Sequence, residues 1–93
     1  MSLPYYPMFP KDFDASEKVR VMTWSERGLY ITLLNHSWLN DGLPADPEHV
    51  RRVCGADRDE FAHMWPQVER CFPVADDGRR RNPRQEEERT KAS

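Results

Sequence analysis

Cysteine and long apolar runs are both scarce in this chain of 93 residues. Its two cysteines, Cys54 and Cys71, are too few for a small secreted domain that relies on disulfides, so we expect a reducing compartment. No stretch approaches the roughly 18 consecutive apolar residues of a membrane span. The N-terminus also lacks the basic and apolar regions of a signal peptide. These absences predict a soluble, cytoplasmic protein with no membrane partner.

Sequence motifs of catalysis are missing as well. There is no glycine-rich phosphate loop, no H-E-x-x-H and no Gly-x-Ser-x-Gly. Ser37 follows His36, but adjacent residues of a helix point in different directions, so the pair does not predict an activated nucleophile. The expected protein is not an enzyme and takes no small-molecule substrate.

A zinc site could draw only on scattered residues, namely Cys54, Cys71, His49 and His63. None of them is paired at the spacing that places two ligands on one turn, and free cysteines commonly pack in cores. We therefore expect no metal and no cofactor.

The composition favours one compact domain. Hydrophobic residues make up 38% of the chain and charged residues 32%, and there are three Trp, three Tyr and four Phe, which is enough apolar volume for a single core. The formal net charge of −2 is not typical of a protein that coats nucleic acid by bulk electrostatics, so any such binding must depend on a local patch.

Prolines at positions 4, 7 and 10 prevent a regular helix near the N-terminus and favour extended backbone. Residues 1–13 are therefore predicted to form an extended arm that packs on the domain and completes its core. Tyr5, Tyr6 and Phe9 would instead bind a partner protein, or a second copy of the chain, if they point outward.

The strongest local signal is a capping-box pattern, in which Thr23 is followed three residues later by Glu26. It predicts a buried central helix over residues 24–40. The expected inward stripe is Trp24, Tyr30, Ile31, Leu34 and Trp38. Gly28 predicts a close approach by another backbone. In the short segment before the helix, Val19, Val21 and Met22 are able to point inward.

Two further helix starts follow, at Asp46 before a proline and at Asp57. They predict a short helix over about 47–54 and a longer one over about 57–72, kinked or split at Pro66.

An Asp-Asp-Gly sequence at 76–78 separates two short segments, 72–74 and 80–82, and predicts a β-hairpin. A last helix, polar on every side and expected to fray or to continue as a linker, can begin at Pro83.

The order of these elements is that of a winged helix-turn-helix: a mainly α, three-helix core with a small hairpin wing. The predicted organisation is an arm over 1–13, a winged-helix-like domain over 14–82 and a polar helix or tail over 83–93. Fold alone does not decide between DNA binding and protein docking.

Three segments carry a resemblance to a known family: PYYPMFPKDF, SERGLYITLLNHSWLNDG with GLPAD completing it, and FAHMWPQVERCF with the DDG sequence after it. Together they cover most of the chain, and they resemble the YdaU-like proteins of phages and prophages, a family of unknown function. The resemblance implies a phage or prophage setting, linked to replication or its regulation, with a replisome-organiser module as the analogy.

Candidate DNA-binding residues are arginines on and after the predicted wing and on the second helix, namely Arg79, Arg80, Arg81, Arg84, Arg51 and Arg52. Guanidinium groups there could neutralise phosphates or enter a minor groove, although a turn rich in arginine can also be simply solvated. The third helix carries two arginines against four carboxylates, which would repel the DNA backbone. We therefore expect non-specific, salt-dependent DNA binding led by the wing.

The alternative is a protein-interaction or oligomerisation module without DNA contact. The aromatic arm and the exposed parts of tryptophan side chains would dock on the partner.

Overall fold

The structure is a computed structural model that describes residues 17–92. The arm predicted for residues 1–13, and with it Tyr5, Tyr6 and Phe9, lies outside the described residues. Residues 17–92 form a mainly helical fold, as predicted. The helices are α1 (Glu17–Arg20), α2 (Trp24–Asn40), α3 (Pro47–Cys54), α4 (Arg58–Glu69) and α5 (Pro83–Ala92).

The predicted helix starts are confirmed by their capping hydrogen bonds. At α2, the Glu26 N–H donates to Thr23 Oγ1 at 3.1 Å, and the Thr23 N–H donates to Glu26 Oε1 at 2.7 Å. Asp46 caps α3 and Asp57 caps α4 through backbone N–H groups of their first turns. Pro66 does not split α4, which continues to Glu69.

The core lies where α2 packs against α4 and α3. Aromatic rings meet there in two pairs: Tyr30 and Phe72 lie edge to face with centroids 5.8 Å apart, and Phe61 stacks on Trp65 at 5.1 Å. The side chains fully buried among these rings are Leu33, Leu34, Leu43, Val50 and Val68. Val19 and Met22 are also buried, as predicted, so the segment before α2 closes one end of the core.

Four details predicted for this region are wrong. Trp24 is 82% exposed, Ile31 lies at the surface, and Val21 points into solvent. A Cβ atom on Gly28 would meet nothing within 4 Å, so no backbone of residues 17–92 approaches it. The reason is helical geometry: α2 turns its 29–30 and 33–34 pairs to the core, which leaves the row formed by residues 24, 28, 31, 35 and 39 outside.

The predicted β-hairpin wing is also wrong, because residues 17–92 contain no β-strand and no sheet. Two isolated antiparallel bridges are present instead, and Arg80 takes part in both, with Leu43 and with Val74. A tight turn remains, in which the Gly78 N–H donates to the Ala75 carbonyl at 3.0 Å. The winged helix-turn-helix assignment therefore loses the element that defines it.

Proline explains why no ladder develops. Pro73 and Pro83 bracket the segment, and proline has no N–H to donate to a neighbouring strand. Between them the chain makes a turn and carries three successive arginines. The side chains of Arg79 and Arg80 donate to carbonyl groups elsewhere in the fold, and that of Arg81 donates to carboxylates. Single bridges are all that this length of chain accommodates.

Helix α5 packs against α2 through polar groups. Asn82 lies just before it, buried, and its Nδ2 donates to the Cys71 carbonyl at 2.9 Å and to Tyr30 Oη at 3.3 Å. Gln85 is fully buried, and its Nε2 donates to the Leu34 carbonyl at 2.7 Å. Helix α5 has no apolar face, so these hydrogen bonds to buried carbonyls hold it against the domain in place of apolar packing. The helix does not lie free in solvent.

No helix among residues 17–92 combines the length and the apolar character needed to cross a lipid bilayer.

The buried contacts of Asn82 predict its contribution to stability. Asn82→Ala removes both donors and the Oδ1 that accepts from the Gln85 N–H at 2.9 Å, and should lower the free energy of unfolding by about 2–3 kcal/mol. Urea unfolding measures it. Asn35→Ala, on the exposed face of α2, is the matched control and should change stability by less than about 0.5 kcal/mol. Equal effects of the two substitutions would show that the buried amide does not hold α5.

Candidate functional site

Arg80, a candidate phosphate ligand, is buried inside the fold with 8% of its surface exposed. Its Nε donates to the Ala45 carbonyl at 2.8 Å and its Nη1 to the Phe72 carbonyl at 3.1 Å. The guanidinium also pairs with Glu69 at 3.0 Å and lies 5.3 Å from the centroid of the Trp65 ring. Every donor direction faces the protein, so Arg80 is a structural residue in this conformation.

Arg79 caps the C-terminal end of α2. Its guanidinium donates to the carbonyl of Asn40, the last residue of the helix, at 3.4 Å, and to those of Asp41 at 3.1 Å and Gly42 at 2.9 Å just after it. The chain leaves the helix there with Asp41 and Gly42 at φ values of 56° and 107°. A Cβ atom on Gly42 would lie 3.2 Å from the Arg80 carbonyl oxygen, so glycine is needed for this approach.

Arg81 joins three acidic side chains. It bonds Asp77 at 2.6 Å and Asp41 at 2.9 Å, and it lies 3.5 Å from Glu86 at the start of α5. Its hydrogen bonds hold the pKa values of Asp41 and Asp77 below their usual range. The Asp77 carboxylate in turn holds the pKa of Arg81 above its usual value. This cluster fastens the turn to both α2 and α5.

The remaining predicted arginines are less enclosed. Arg84 pairs with Glu87 and with Glu88 of its own helix. Arg51 bonds Glu48 at 3.1 Å and the Ala56 carbonyl at 2.9 Å. Its hydrogen bond to Glu48 lowers the pKa of that carboxyl to about 2. Arg52 has an exposed side chain, 3.6 Å from Glu48.

The six predicted arginines therefore do not converge on one open surface. A guanidinium that bonds carbonyls and carboxylates of its own chain would have to give up those contacts to reach a phosphate. Whether any of the six binds DNA stays a prediction, but the structure gives each of them an intramolecular partner.

Basic side chains without an acidic partner lie at the opposite end of α2. Lys18, Arg27 and Arg70 form what we term the basic end, and none of the three forms an ion pair among the described residues. Lys18 Nζ donates to the Arg70 carbonyl at 3.3 Å, which places α1 against the end of α4. Arg27 donates to the Arg20 carbonyl at 3.4 Å, which places α1 against the first turn of α2.

Trp24 stands beside the basic end. The Arg27 guanidinium lies 4.6 Å from the centroid of its ring, a cation–π contact one turn along the helix. The nearest acidic side chain of α2, that of Glu26, is buried and engaged in the capping box, whereas Glu17 of α1 is exposed nearby.

Sequence reasoning missed the basic end because its residues come from α1, from α2 and from the position just after α4. The only local signal is the spacing of Trp24 and Arg27, three residues apart, which places them on adjoining turns of one face. Nothing in the sequence shows that the end of α4 comes to lie beside α1.

The residues considered for metal or nucleophilic chemistry do not come together. No group of three His, Cys, Asp or Glu side chains is placed to hold a metal ion within the described part of the chain. Cys54 and Cys71 are free thiols there, and burial raises the pKa of Cys71. Ser37 is fully buried, so its hydroxyl cannot meet a substrate in this conformation.

The described residues thus make up a small, mainly helical domain with one basic end and with most of its arginines tied internally. The chain belongs to the family described as protein of unknown function (DUF1376), whose model matches residues 4–89. Neither the curated proteins nor the solved structures gave a match. The YdaU-like name and the phage setting stay predictions from the resemblance.

The contacts of Arg80 predict a large effect on folding. Arg80→Ala removes a salt bridge and leaves the carbonyls of Ala45 and Phe72 without that donor, so the free energy of unfolding should fall by about 2–4 kcal/mol. Arg52→Ala is the control and should change it by less than about 0.5 kcal/mol. Denaturant titration measures the free energy of unfolding of both variants. A value for Arg80→Ala close to that of the wild type would contradict the structural role of Arg80.

The Arg81 cluster predicts a dependence of stability on pH. The folded pKa values of Asp41 and Asp77 lie below the unfolded value of about 3.9, so their contribution is complete above that pH and is lost as the pH falls through the folded values. The melting temperature of the double variant Asp41→Asn, Asp77→Asn should therefore fall less between about pH 4 and pH 2 than that of the wild type.

Asn is suitable at position 41 because it tolerates the left-handed backbone there. Asp76→Asn, next to the cluster, is the control, and it should keep the pH profile of the wild type. Parallel profiles for the double variant and the wild type would refute the assignment.

Proposed function

We propose that this chain is a non-catalytic domain that binds DNA without sequence specificity, through the basic end rather than through the arginines of the 79–81 turn. The single observation that carries the proposal is the grouping of Lys18, Arg27 and Arg70, none of which pairs with a carboxylate of residues 17–92, on a protein whose net charge is −2. Around the turn, Arg80, Arg81 and Arg84 pair with carboxylates, and Arg79 donates to backbone carbonyls.

Charge of this kind supports phosphate contacts and little else. Contacts to phosphate position a protein on nucleic acid and carry no sequence information. The short helix α1 and the ends of α2 and α4 present no row of side chains suited to base edges. Non-specific binding driven by the release of counterions follows from these groups.

Only the resemblance to the YdaU-like family supports the biological setting that we propose. A phage or prophage protein that acts in replication or its regulation would use a non-specific DNA-binding domain, and it would act in the cytoplasm. These features belong to the proposal and not to the geometry.

A specific observation favours one other function, protein docking. The outer row of α2 leaves Leu39 68% exposed and Ile31 at the surface, with Gly28 one turn before Ile31. Apolar side chains in such a row are typical of helix-to-helix contact. A protein partner, or a second copy of the chain, would then cover this row.

The DNA proposal predicts a specific loss of binding. The triple variant Lys18→Ala, Arg27→Ala, Arg70→Ala should weaken binding of a fluorescein-labelled DNA and should reduce the slope of log affinity against log salt by about 2, because each lost phosphate contact contributes about 0.7–0.9 to that slope. Fluorescence anisotropy across a salt series measures both quantities.

The matched control is Arg52→Ala, Arg58→Ala, Lys91→Ala, which removes the same charge from exposed side chains that lie near carboxylates. It should keep the salt slope of the wild type. If both triple variants weaken binding equally, only net charge matters and the basic end is not the site. If the wild type binds no DNA even at low salt, the DNA proposal fails and protein docking takes its place.

A further inference from the structure

Trp24 differs from the two other tryptophans of the chain in its environment. It is 82% exposed, whereas Trp38 and Trp65 are 3% and 7% exposed. As the first residue of α2, just after the Thr23 cap, it points away from the core. An indole placed there contributes little to folding, because almost none of its apolar surface leaves the water.

The surroundings of the ring suit an aromatic anion. Arg27 stacks on it at 4.6 Å from the ring centroid, which fixes the ring beside a positive charge. Arg27 donates to α1 at the Arg20 carbonyl, and Lys18 of that same short helix donates to the Arg70 carbonyl, so α1 links the two further cations to the ring. Successive bases and phosphates of a single strand present a π-face and a negative charge in alternation, and proteins bind them with aromatic rings set in basic surfaces.

We infer that Trp24 stacks on an unpaired base of single-stranded nucleic acid, while Arg27, Lys18 and Arg70 contact the phosphates on either side of it. The inference rests on the proposed DNA-binding function and adds to it the form of the nucleic acid. In a duplex, both faces of each base are covered by its neighbours, so an exposed ring cannot stack without first unstacking a base pair. Binding through Trp24 therefore favours the single strand.

The test compares three polyanions at one low salt concentration: an oligodeoxythymidylate of about 16 nucleotides, a duplex of the same length and inorganic polyphosphate. Binding is measured by anisotropy or by competition, and stacking by quenching of tryptophan emission. Trp38 and Trp65 are buried, so a change in the solvent-exposed part of the emission reports on Trp24.

Three results are expected. The oligodeoxythymidylate binds more tightly than the duplex and quenches the emission, whereas polyphosphate binds without quenching. Trp24→Leu weakens binding of the oligodeoxythymidylate by about fivefold to a hundredfold, the range for the loss of one stacked base. The same substitution changes polyphosphate binding by less than about twofold, because phosphate contacts do not need the ring.

The matched control is Leu39→Ala, a substitution at another exposed apolar side chain on the outer row of the same helix. It should leave all three affinities unchanged. Because Trp24 is exposed, Trp24→Leu should unfold at the same urea concentration as the wild type, which separates lost stacking from lost structure.

Other results overturn the inference in distinguishable ways. If the single strand and the duplex bind equally and Trp24→Leu binds like the wild type, stacking is wrong while the charge-based function stands. If neither nucleic acid binds, the proposed function fails and the inference fails with it. If the emission changes with protein concentration alone, the ring belongs to a contact between copies of the chain and not to a nucleic-acid site.

Discussion

The capping of the C-terminal end of α2 is the constraint on which the last third of the chain depends. An α-helix leaves its final carbonyls without partners, and α2 has no basic residue in its own last turn. Arg79, in the turn before α5, donates to the Asn40 carbonyl and to the Asp41 and Gly42 carbonyls just after the helix. Arg89, within α5, donates to the carbonyls of Ser37 and Trp38. The turn that contains Arg79 and helix α5 are thereby both held to the C-terminal end of α2. The turn stays in place without pairing of strands.

The distance along the sequence between two interacting residues decides which parts of the structure the sequence predicts. Helix starts are recognisable because a cap involves residues at most three positions apart, and Thr23, Asp46 and Asp57 all cap as expected. The function of an arginine is not recognisable in the same way. A guanidinium can donate to a phosphate, a carboxylate or a backbone carbonyl, so only the tertiary position of Arg80 reveals that its partners are internal.

The hydrophobic pattern of the sequence gives the wrong burial at two places, for opposite reasons. Helix α5 lacks an apolar face, yet it is docked, because the buried amides of Asn82 and Gln85 find carbonyl partners on the core. Trp24 is strongly apolar, yet it is exposed, because it lies on the outer row of α2, on the side of the helix that faces away from the core. A sequence pattern ranks residues by their affinity for water, and both exceptions are decided by which neighbours the tertiary fold supplies.

The two ends of α2 differ in how the charged side chains beside them are paired. At the C-terminal end, arginines and carboxylates neutralise one another, as in the Arg81 cluster. At the N-terminal end, Lys18, Arg27 and Arg70 form no ion pair within residues 17–92, and the dipole of α2 adds to the positive potential beside Arg27. Beyond a screening length of about 8–10 Å a polyanion meets a protein of net charge −2 and gains no attraction. The local patch acts only at contact, so the proposed DNA binding by a single domain of this kind should be slow and weak, and physical linkage to further binding domains would strengthen it through effective concentration.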